Sequence, residues 1–407
     1  MSSMRIGPEF ENGHPSSVTG KVGAVVIGGD YQGLGIVRSL GRQGVPVCVV
    51  DDEVSISRFS RYCTHFVKVS NLREESSIVE SLLEIGSRLN LSGWVLYPTR
   101  EEIVAALSRN RTQLARTFRV PTPAWECVQW AWDKRNTYNL AQKLSIPTPT
   151  TKYLTHVDQL DELKDYSPPF AIKPAIKEHF VYATKAKAWC ANSHAELKEL
   201  FHKAAALVGP GEVMVQELIP GEGRQQFSYC AFFRNGEAVG KMVAQRLRQH
   251  PLQFGRASTY VQTVEVPLLE EFSERFLRSI NYYGLVELEF KLDPRDNQFK
   301  LLDVNARTWG YHSLGPTAGV DFTYMLYRDQ IGLPVSVTKG QSGIGWIRMI
   351  TDLPTAFVAL LGGHLDFKSY VRSLKDCDAE AVFSLKDPLP GLAEIFQIPY
   401  LALKRGF

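Results

Sequence analysis

The stretch GLVELEFKLDPRDNQFKLLDVNARTWG, Gly284 to Gly310, decides the reading of this chain, because it sets acidic groups against one another across a β-hairpin. Val286, Leu288 and Phe290 alternate with Glu287 and Glu289. Leu302 and Val304 alternate in the same way with Asp303 and Asn305, the period-two pattern of two half-buried strands. The link DPRDNQ is made of turn formers. Centring the hairpin near Asp296 places Glu289 opposite Asp303, with Asn305 one side-chain step further along the same face. Opposed like charges repel, so such a pair either splays into solvent or is held together by cations. Two carboxylates and an amide oxygen form a hard-oxygen set suited to Mg²⁺, and Arg307 on the same face aims a permanent positive charge at whatever the metal holds. A solvated hairpin face is the competing account, since charged residues normally sit exposed.

Upstream, Lys134 opens a helical run, WDKRNTYNLAQKLSIPTPTT, that is stopped by Pro147 and Pro149, and Lys173 lies between apolar residues in the strand FAIKPA. A lysine in a buried strand needs an anion, for which a phosphate serves, or a path that lets its ammonium reach the surface. The segment EVMVQELIPGEG reads as a strand running into a proline-glycine turn. Its free end, with Gln216, Glu217 and Glu222, offers the donor and acceptor that a base edge needs. AQRLRQHPLQFGRAST then brings Arg246, Arg248 and Arg256 in what reads as a loop before the strand TYVQTVEV. Fork-shaped donors there are either solvated or aimed at carboxylate and phosphate oxygens.

The N-terminal third alternates strand and helix. KVGAVVIGG, DYQGLGIVRSLGRQG and VPVCVVDDE form a βαβ opening, continued by a helix around Ser77 to Leu89, a strand from Gly93 to Tyr97 and a helix from Glu101 to Leu114. Gly28, Gly29, Gly33 and Gly35, with Asp51 and Asp52 at the end of the second strand, suggest a dinucleotide fingerprint, but G-x-G-x-x-G does not occur in register. Close packing of helix on sheet is the better account of the glycines. Thr99, Arg100 and Glu101 lie at the C-terminal end of a strand, where open α/β sheets bind ligands. Helix capping by Thr99 is the favoured alternative.

Composition bounds the rest. With 407 residues, 44% hydrophobic content and a net charge of +3 from dispersed basic and acidic residues, the chain is an ordinary globular protein of two or three domains. No nucleic-acid or membrane partner is implied. No apolar run approaches the roughly 18 residues that span a bilayer. The six cysteines are scattered without zinc or disulfide spacing, which suits a reducing cytosol. The expected division is a disordered tail over residues 1–20, a parallel-sheet domain over 21–123, an α+β unit over 124–334 with a small lid at about 150–220, and an extension over 335–407 with two short helical stretches.

In combination, the glycine-rich βαβ domain, the DK before a helix ending in IPTP, the strand lysine of IKP, QELIPG, and ELEF…LLDVNAR resemble the ATP-grasp superfamily from about Val22 to Gln330. RLRQHPLQFGRAST and DVNARTWGYHSLGPTAGVDF look like its branch of predicted carboxylate-amine ligases. The resemblance implies an α/β and α+β ATP-grasp fold behind a Rossmann-like parallel-sheet domain, and a cytoplasmic enzyme that joins a small carboxylate to an amine, amino acid or peptide-like, through an acyl phosphate. It also implies ATP and Mg²⁺, two ions, with Mn²⁺ as a substitute, and it is compatible with a homodimer. By the same resemblance Lys134 and Lys173 contact the ATP phosphates, Gln216, Glu217 and Ile219 form the adenine hinge, and Glu222 and Arg246 add nucleotide contacts. Glu289, Asp303 and Asn305 are the metal ligands, and Arg307 and Arg256 are catalytic, with Arg246 and Arg248 as further candidates for holding the acceptor carboxylate. Two departures stand out: aspartate at 303, where many relatives carry glutamate, and the absence of any glycine between Lys173 and Trp189, where relatives carry a glycine-rich phosphate loop. Lys177, His179 and Lys185 are the candidates to replace that loop. The rival readings are a catalytically silent ATP-binding regulatory module and an NAD-dependent oxidoreductase.

Overall fold

The computed structural model describes residues 21–184, 186–221, 223–251, 255 and 257–405. The tail over 1–20 and the candidates Lys185, Glu222 and Arg256 therefore lie outside the described residues. Strands β1 (Ala24–Ile27), β2 (Val47–Asp51), β3 (His65–Lys68) and β4 (Val95–Pro98) form a parallel sheet in the order β3-β2-β1-β4. β1 and β2 are buried along their whole length, as strands covered on both faces must be. Side-chain alternation sends Val26 and Val49 to one core with the helix Tyr31–Arg42, and Val25, Ile27 and Val50 to another with the helices Glu75–Arg88 and Glu101–Arg109.

A second, antiparallel sheet holds β5 (Thr151–Tyr153), β6 (Phe170–Pro174), β7 (Trp189–Ala191) and β8 (Val213–Glu217) in the order β5-β8-β6-β7. The helix His194–Val208, whose first turn is capped by the Ser193 hydroxyl on the Glu196 amide, closes a small core around Phe170, Ile172, Phe180, Phe201 and Val215.

The third sheet carries β9 (Gln226–Arg234), β10 (Glu237–His250), β11 (Ala257–Val264), β12 (Gly284–Asp293), β13 (Gln298–Asn305), β14 (Thr338–Lys339), β15 (Gly345–Ile347) and β16 (Ala379–Glu380). Its order is β13-β12-β9-β10-β11-β15-β16, with β14 beside β10, so the hairpin β12–β13 forms one edge. The helix Lys134–Lys143 lies against that edge. The Tyr138 hydroxyl donates to the Leu302 carbonyl and the Leu301 amide donates to the Pro147 carbonyl.

Residues beyond 335 depart from the expectation of two short helical stretches. Three helices, Met349–Leu361, Phe367–Lys375 and Leu389–Arg405, follow strands that extend the third sheet. Asp387 is buried and accepts from the Arg38 guanidinium at 2.9 Å, the Ser60 hydroxyl at 2.7 Å and the Arg61 amide at 2.9 Å. This ties the end of the chain to the first sheet. One continuous core, from Val26 and Leu34 through Trp309 and Phe322 to Trp346, spans the junction.

Candidate active site

The hairpin pairs as its alternation requires. Glu289 stands opposite Asp303 and Glu287 opposite Asn305. One irregularity lies between Glu289 and Phe290, where Leu302 is the extra residue, so that Leu301 enters the core while Leu302 turns toward the neighbouring cleft. The alternation of Leu302 with Asp303 therefore fails locally. Asn305 is buried and donates its amide NH₂ to Glu287 at 2.9 Å and to Glu289 at 3.0 Å, which leaves its carbonyl oxygen on the side of Arg307, 3.5 Å from the guanidinium. The Tyr311 hydroxyl donates to the second oxygen of Glu287 at 2.7 Å. Burial and the nearby Glu289 charge push the Glu287 carboxyl up to about 7.

The cleft beside the hairpin has a volume of about 460 Å³, the size of a small-ligand site. Glu289 and Asp303 line it together with Lys134 and Lys173, so the facing acids and the two expected lysines share one cavity. Lys134 Nζ lies 2.5 Å from Asp303, and Lys173 Nζ donates to the Tyr138 hydroxyl at 2.8 Å. Burial alone would raise the Asp303 carboxyl, but the charge of Lys134, then that of Lys177, holds it down to about 2. Glu289 is likewise kept below the ordinary glutamate value against burial, by Lys187 and Arg246. Both acids are thus carboxylates at neutral pH, as hard-cation ligands must be. Among the described residues no cluster of three or more His, Cys, Asp or Glu could hold a metal ion, and Asn305, expected as the third donor, turns its NH₂ rather than its oxygen toward Glu289.

Sequence reasoning missed Lys187 and Lys291, which also line the cleft. Among the described residues, six basic side chains, Lys134, Lys173, Lys177, Lys187, Lys291 and Arg246, face three acids, Glu217, Glu289 and Asp303, so the cavity suits a multiply charged anion. Burial pushes the Lys187 ammonium down to about 8 against the pull of Glu289. Lys291 donates to the carbonyls of Ile219 and Gly221, which fixes the end of β8. Pro169, Ala171, Leu218, Ile219, Pro220 and Leu302 give the cleft an apolar wall. Gln216 and Ile219 lie on that wall. The Glu217 carboxylate, by contrast, is already held by the Thr150 amide, Arg295 and Lys300 and has little capacity left for a ligand.

Four expectations change. Arg246 and Arg248 are on the long strand β10, where Leu247 is left unpaired by register shifts against β11. That bulge separates the two arginines. Arg246 stays in the cleft, bonded to Gln226 and 3.4 Å from Glu289, whereas Arg248 makes a bidentate pair with Asp352 at 2.8 Å and stacks over Tyr260. His179 pairs with Glu212 and does not line the cleft. Thr99 does not cap the helix Glu101–Arg109; its hydroxyl donates to the Ile27 carbonyl at 2.9 Å, and the cap position falls to Arg100. Arg100 in turn binds both Asp51 and Asp52 at 3.0 Å, so neither acid is left for a ribose. The glycines serve close packing: a Cβ on Gly33 would lie 2.2 Å from the Gly28 carbonyl, and one on Gly29 would lie 2.3 Å from the Ser55 hydroxyl.

Arg307 sits beside the cleft rather than in its lining, in a 2.8 Å ion pair with Glu101 of the parallel-sheet domain. The same guanidinium donates to the Thr308 carbonyl at 2.7 Å. The hairpin and the first domain therefore meet at the charged group expected to act on the substrate. Thr308 and Trp309 next to it are buried, and their side-chain Oγ1 and Nε1 have no hydrogen-bond partner among the described residues.

No family model matches the chain. D-aspartate ligase of Enterococcus faecium (strain Aus0004) is 20% identical over 302 residues, 70% of each chain. The biotin carboxylase domain of Hydrogenobacter thermophilus 2-oxoglutarate carboxylase, solved with MgADP and bicarbonate, superposes with a TM-score of 0.63 over 79% of this chain and 73% of its own, at 12% identity. L-amino acid ligase from Bacillus licheniformis gives 0.57 over 76% and 74%, at 13% identity.

Proposed function

We propose that this chain, which has the ATP-grasp fold, is an ATP-dependent ligase that joins a carboxylate to an amine through an acyl phosphate and releases ADP and phosphate. One observation carries the reading: two ionised acids facing each other across a hairpin share a cleft with an excess of lysines. The two carboxylates of Glu289 and Asp303 fit Mg²⁺, and a metal held by them would neutralise charge on the nucleotide's phosphates, with Asn305 positioning Glu289 through its amide NH₂.

The chain's own groups do the rest. Lys134 and Lys173 hold the phosphates, the apolar wall around Ile219 and Leu302 receives the base, and Glu287 with Tyr311 orients Asn305. A carboxylate oxygen of the substrate attacks the terminal phosphorus and ADP leaves. The amine nitrogen then attacks the carbonyl carbon, phosphate leaves, and the nitrogen loses a proton. Arg307 stabilises the oxyanion that develops in the second step. The relatives named for D-aspartate and L-amino acids, and the one solved with bicarbonate, support a small carboxylate acceptor, with an amino acid or peptide-like compound as one partner.

A screen for ADP release with MgATP across carboxylates and amines, using Glu289→Gln as the blank, tests the proposal. ADP formation that needs both a carboxylate and an amine supports it. Tight ATP binding without turnover on any pair would instead support a silent regulatory module, a reading favoured by the glycine-free lid. An oxidoreductase is not supported, because Arg100 occupies the acids that a dinucleotide ribose would need.

A further inference from the structure

We infer that Lys177 and Lys187 together form the phosphate cover of the cleft, contacting the phosphate oxygens of a bound nucleoside triphosphate through side-chain ammonium groups where a glycine-rich loop would use backbone amides. The inference rests on the nucleotide reading above and names the residues that complete its phosphate subsite.

A backbone cradle needs consecutive free N–H groups and a chain that approaches the ligand closely, which is what glycine permits. This chain has no glycine between Lys173 and Trp189, and residues Lys177–Thr184 form a helix. Only the last four amide groups of this eight-residue helix are spent inside it, but with no glycine the segment's backbone cannot close into a tight cradle of consecutive N–H groups, which leaves side chains to meet the anion. Lys177 and Lys187 sit at opposite ends of the segment, yet both line the cleft on which Glu289 and Asp303 also open. The packing explains how. Phe180, three residues after Lys177, is fully buried, and its ring meets that of Trp189, two residues after Lys187, edge to face at 4.7 Å. This contact pins the helix start and the entry to β7 to one small core, which presents the two lysines to the same cavity.

Neither lysine has an ion pair among the described residues, whereas Lys134 has Asp303 and Lys300 has Asp293. Lys177 also occupies the first turn of its helix, the end where the peptide dipoles disfavour a cation and favour an anion. An unpartnered, half-buried cation is costly by itself, and two in one cavity repel each other. A triphosphate removes both penalties.

The test uses the full-length chain and its Lys177→Met, Lys187→Met and Lys187→Arg variants, with affinities for ATP and for AMP measured by titration calorimetry in Mg²⁺. Each methionine variant is expected to weaken ATP binding about tenfold or more, as loss of a charged hydrogen bond does. AMP binding should change less than about twofold, and Lys187→Arg should keep most of the ATP affinity. Melting without nucleotide supplies the second readout: Lys187→Met should unfold at the same or a higher temperature than the wild type. Equal weakening of ATP and AMP, or unchanged ATP affinity in both methionine variants, overturns the inference while leaving the ligase reading intact. Absence of ATP binding by the wild type overturns both.

Discussion

The two walls of the cleft carry opposite electrostatic faults. The hairpin wall holds Glu289 and Asp303 face to face, like charges that an isolated strand pair would disfavour. The opposite wall holds Lys177 and Lys187, which form no direct ion pair among the described residues, while Lys173 donates to a tyrosine hydroxyl. Elsewhere the chain pairs its buried charges with care: Arg38 with Asp387, Arg348 with Glu394, Arg248 with Asp352. In the cleft Asp303 and Glu289 are paired with Lys134 and Arg246, and the basic side chains that remain are an excess that an anionic ligand would balance. On the proposed reading the acids would meet the cation of a metal-nucleotide complex and the lysines its phosphates.

Breaking the acidic wall should have the largest effect. Glu289→Gln or Asp303→Asn is expected to lower ADP formation about a hundred- to a thousandfold, as loss of a group that stabilises transferring charge does, and Asp303→Asn should also lower the melting temperature because it takes the partner from the buried Lys134. A steady-state assay alongside thermal unfolding checks both halves. Arg307→Ala sharpens the contrast between binding and chemistry: kcat should drop about a hundredfold or more with ATP affinity nearly unchanged, since Arg307 stands outside the cleft lining. Equal turnover would remove it from the mechanism.

A balanced charge supplies the control. Asp387→Ala leaves Arg38 buried without its partner and should destabilise the protein by about 3–5 kcal/mol, measured by denaturant unfolding, the reverse of what is expected for Lys187→Met.

The smallest expected effect is the pH dependence. Lys187 faces Glu289, Lys177, Arg246 and Asp303, and burial lowers its ammonium from 10.5 to about 8. The unfolded chain holds that proton to higher pH than the empty folded protein does. This group therefore disfavours folding below about 8, and its penalty fades as pH rises from about 8 through 10.5. ATP affinity should move the other way, weakening as pH rises above about 8 in the wild type and much less in Lys187→Met. Titrations at three pH values would show it, and identical pH slopes in the two proteins would count against the assignment.

How much of this could be read beforehand follows from the range of the interactions. The facing of Glu289 and Asp303 is local: period-two alternation and a turn of known chemistry set the register before any tertiary contact. Lys173 is legible for a similar reason, as a charge inside an apolar strand. The bulges at Leu302 and Leu247 leave no mark in the alternation, and the second of them sends Arg248 away from Arg246. Lys187 stands in KAKAW, which reads as a solvated stretch until Phe180 and Trp189 pack together. The pairs Arg307–Glu101 and Arg38–Asp387 join residues far apart in the chain, and no local pattern announces them. The substrate pocket is illegible for the same reason, because its walls come from separate sheets.

The most direct test of the central claim is the Mg²⁺ dependence of ATP binding to the wild type and to Glu289→Gln, measured by equilibrium titration with and without the metal. The account predicts that Mg²⁺ tightens ATP binding to the wild type by an order of magnitude or more and that Glu289→Gln loses most of this gain. ATP affinity that is indifferent to Mg²⁺, or a gain fully kept in the variant, would contradict it.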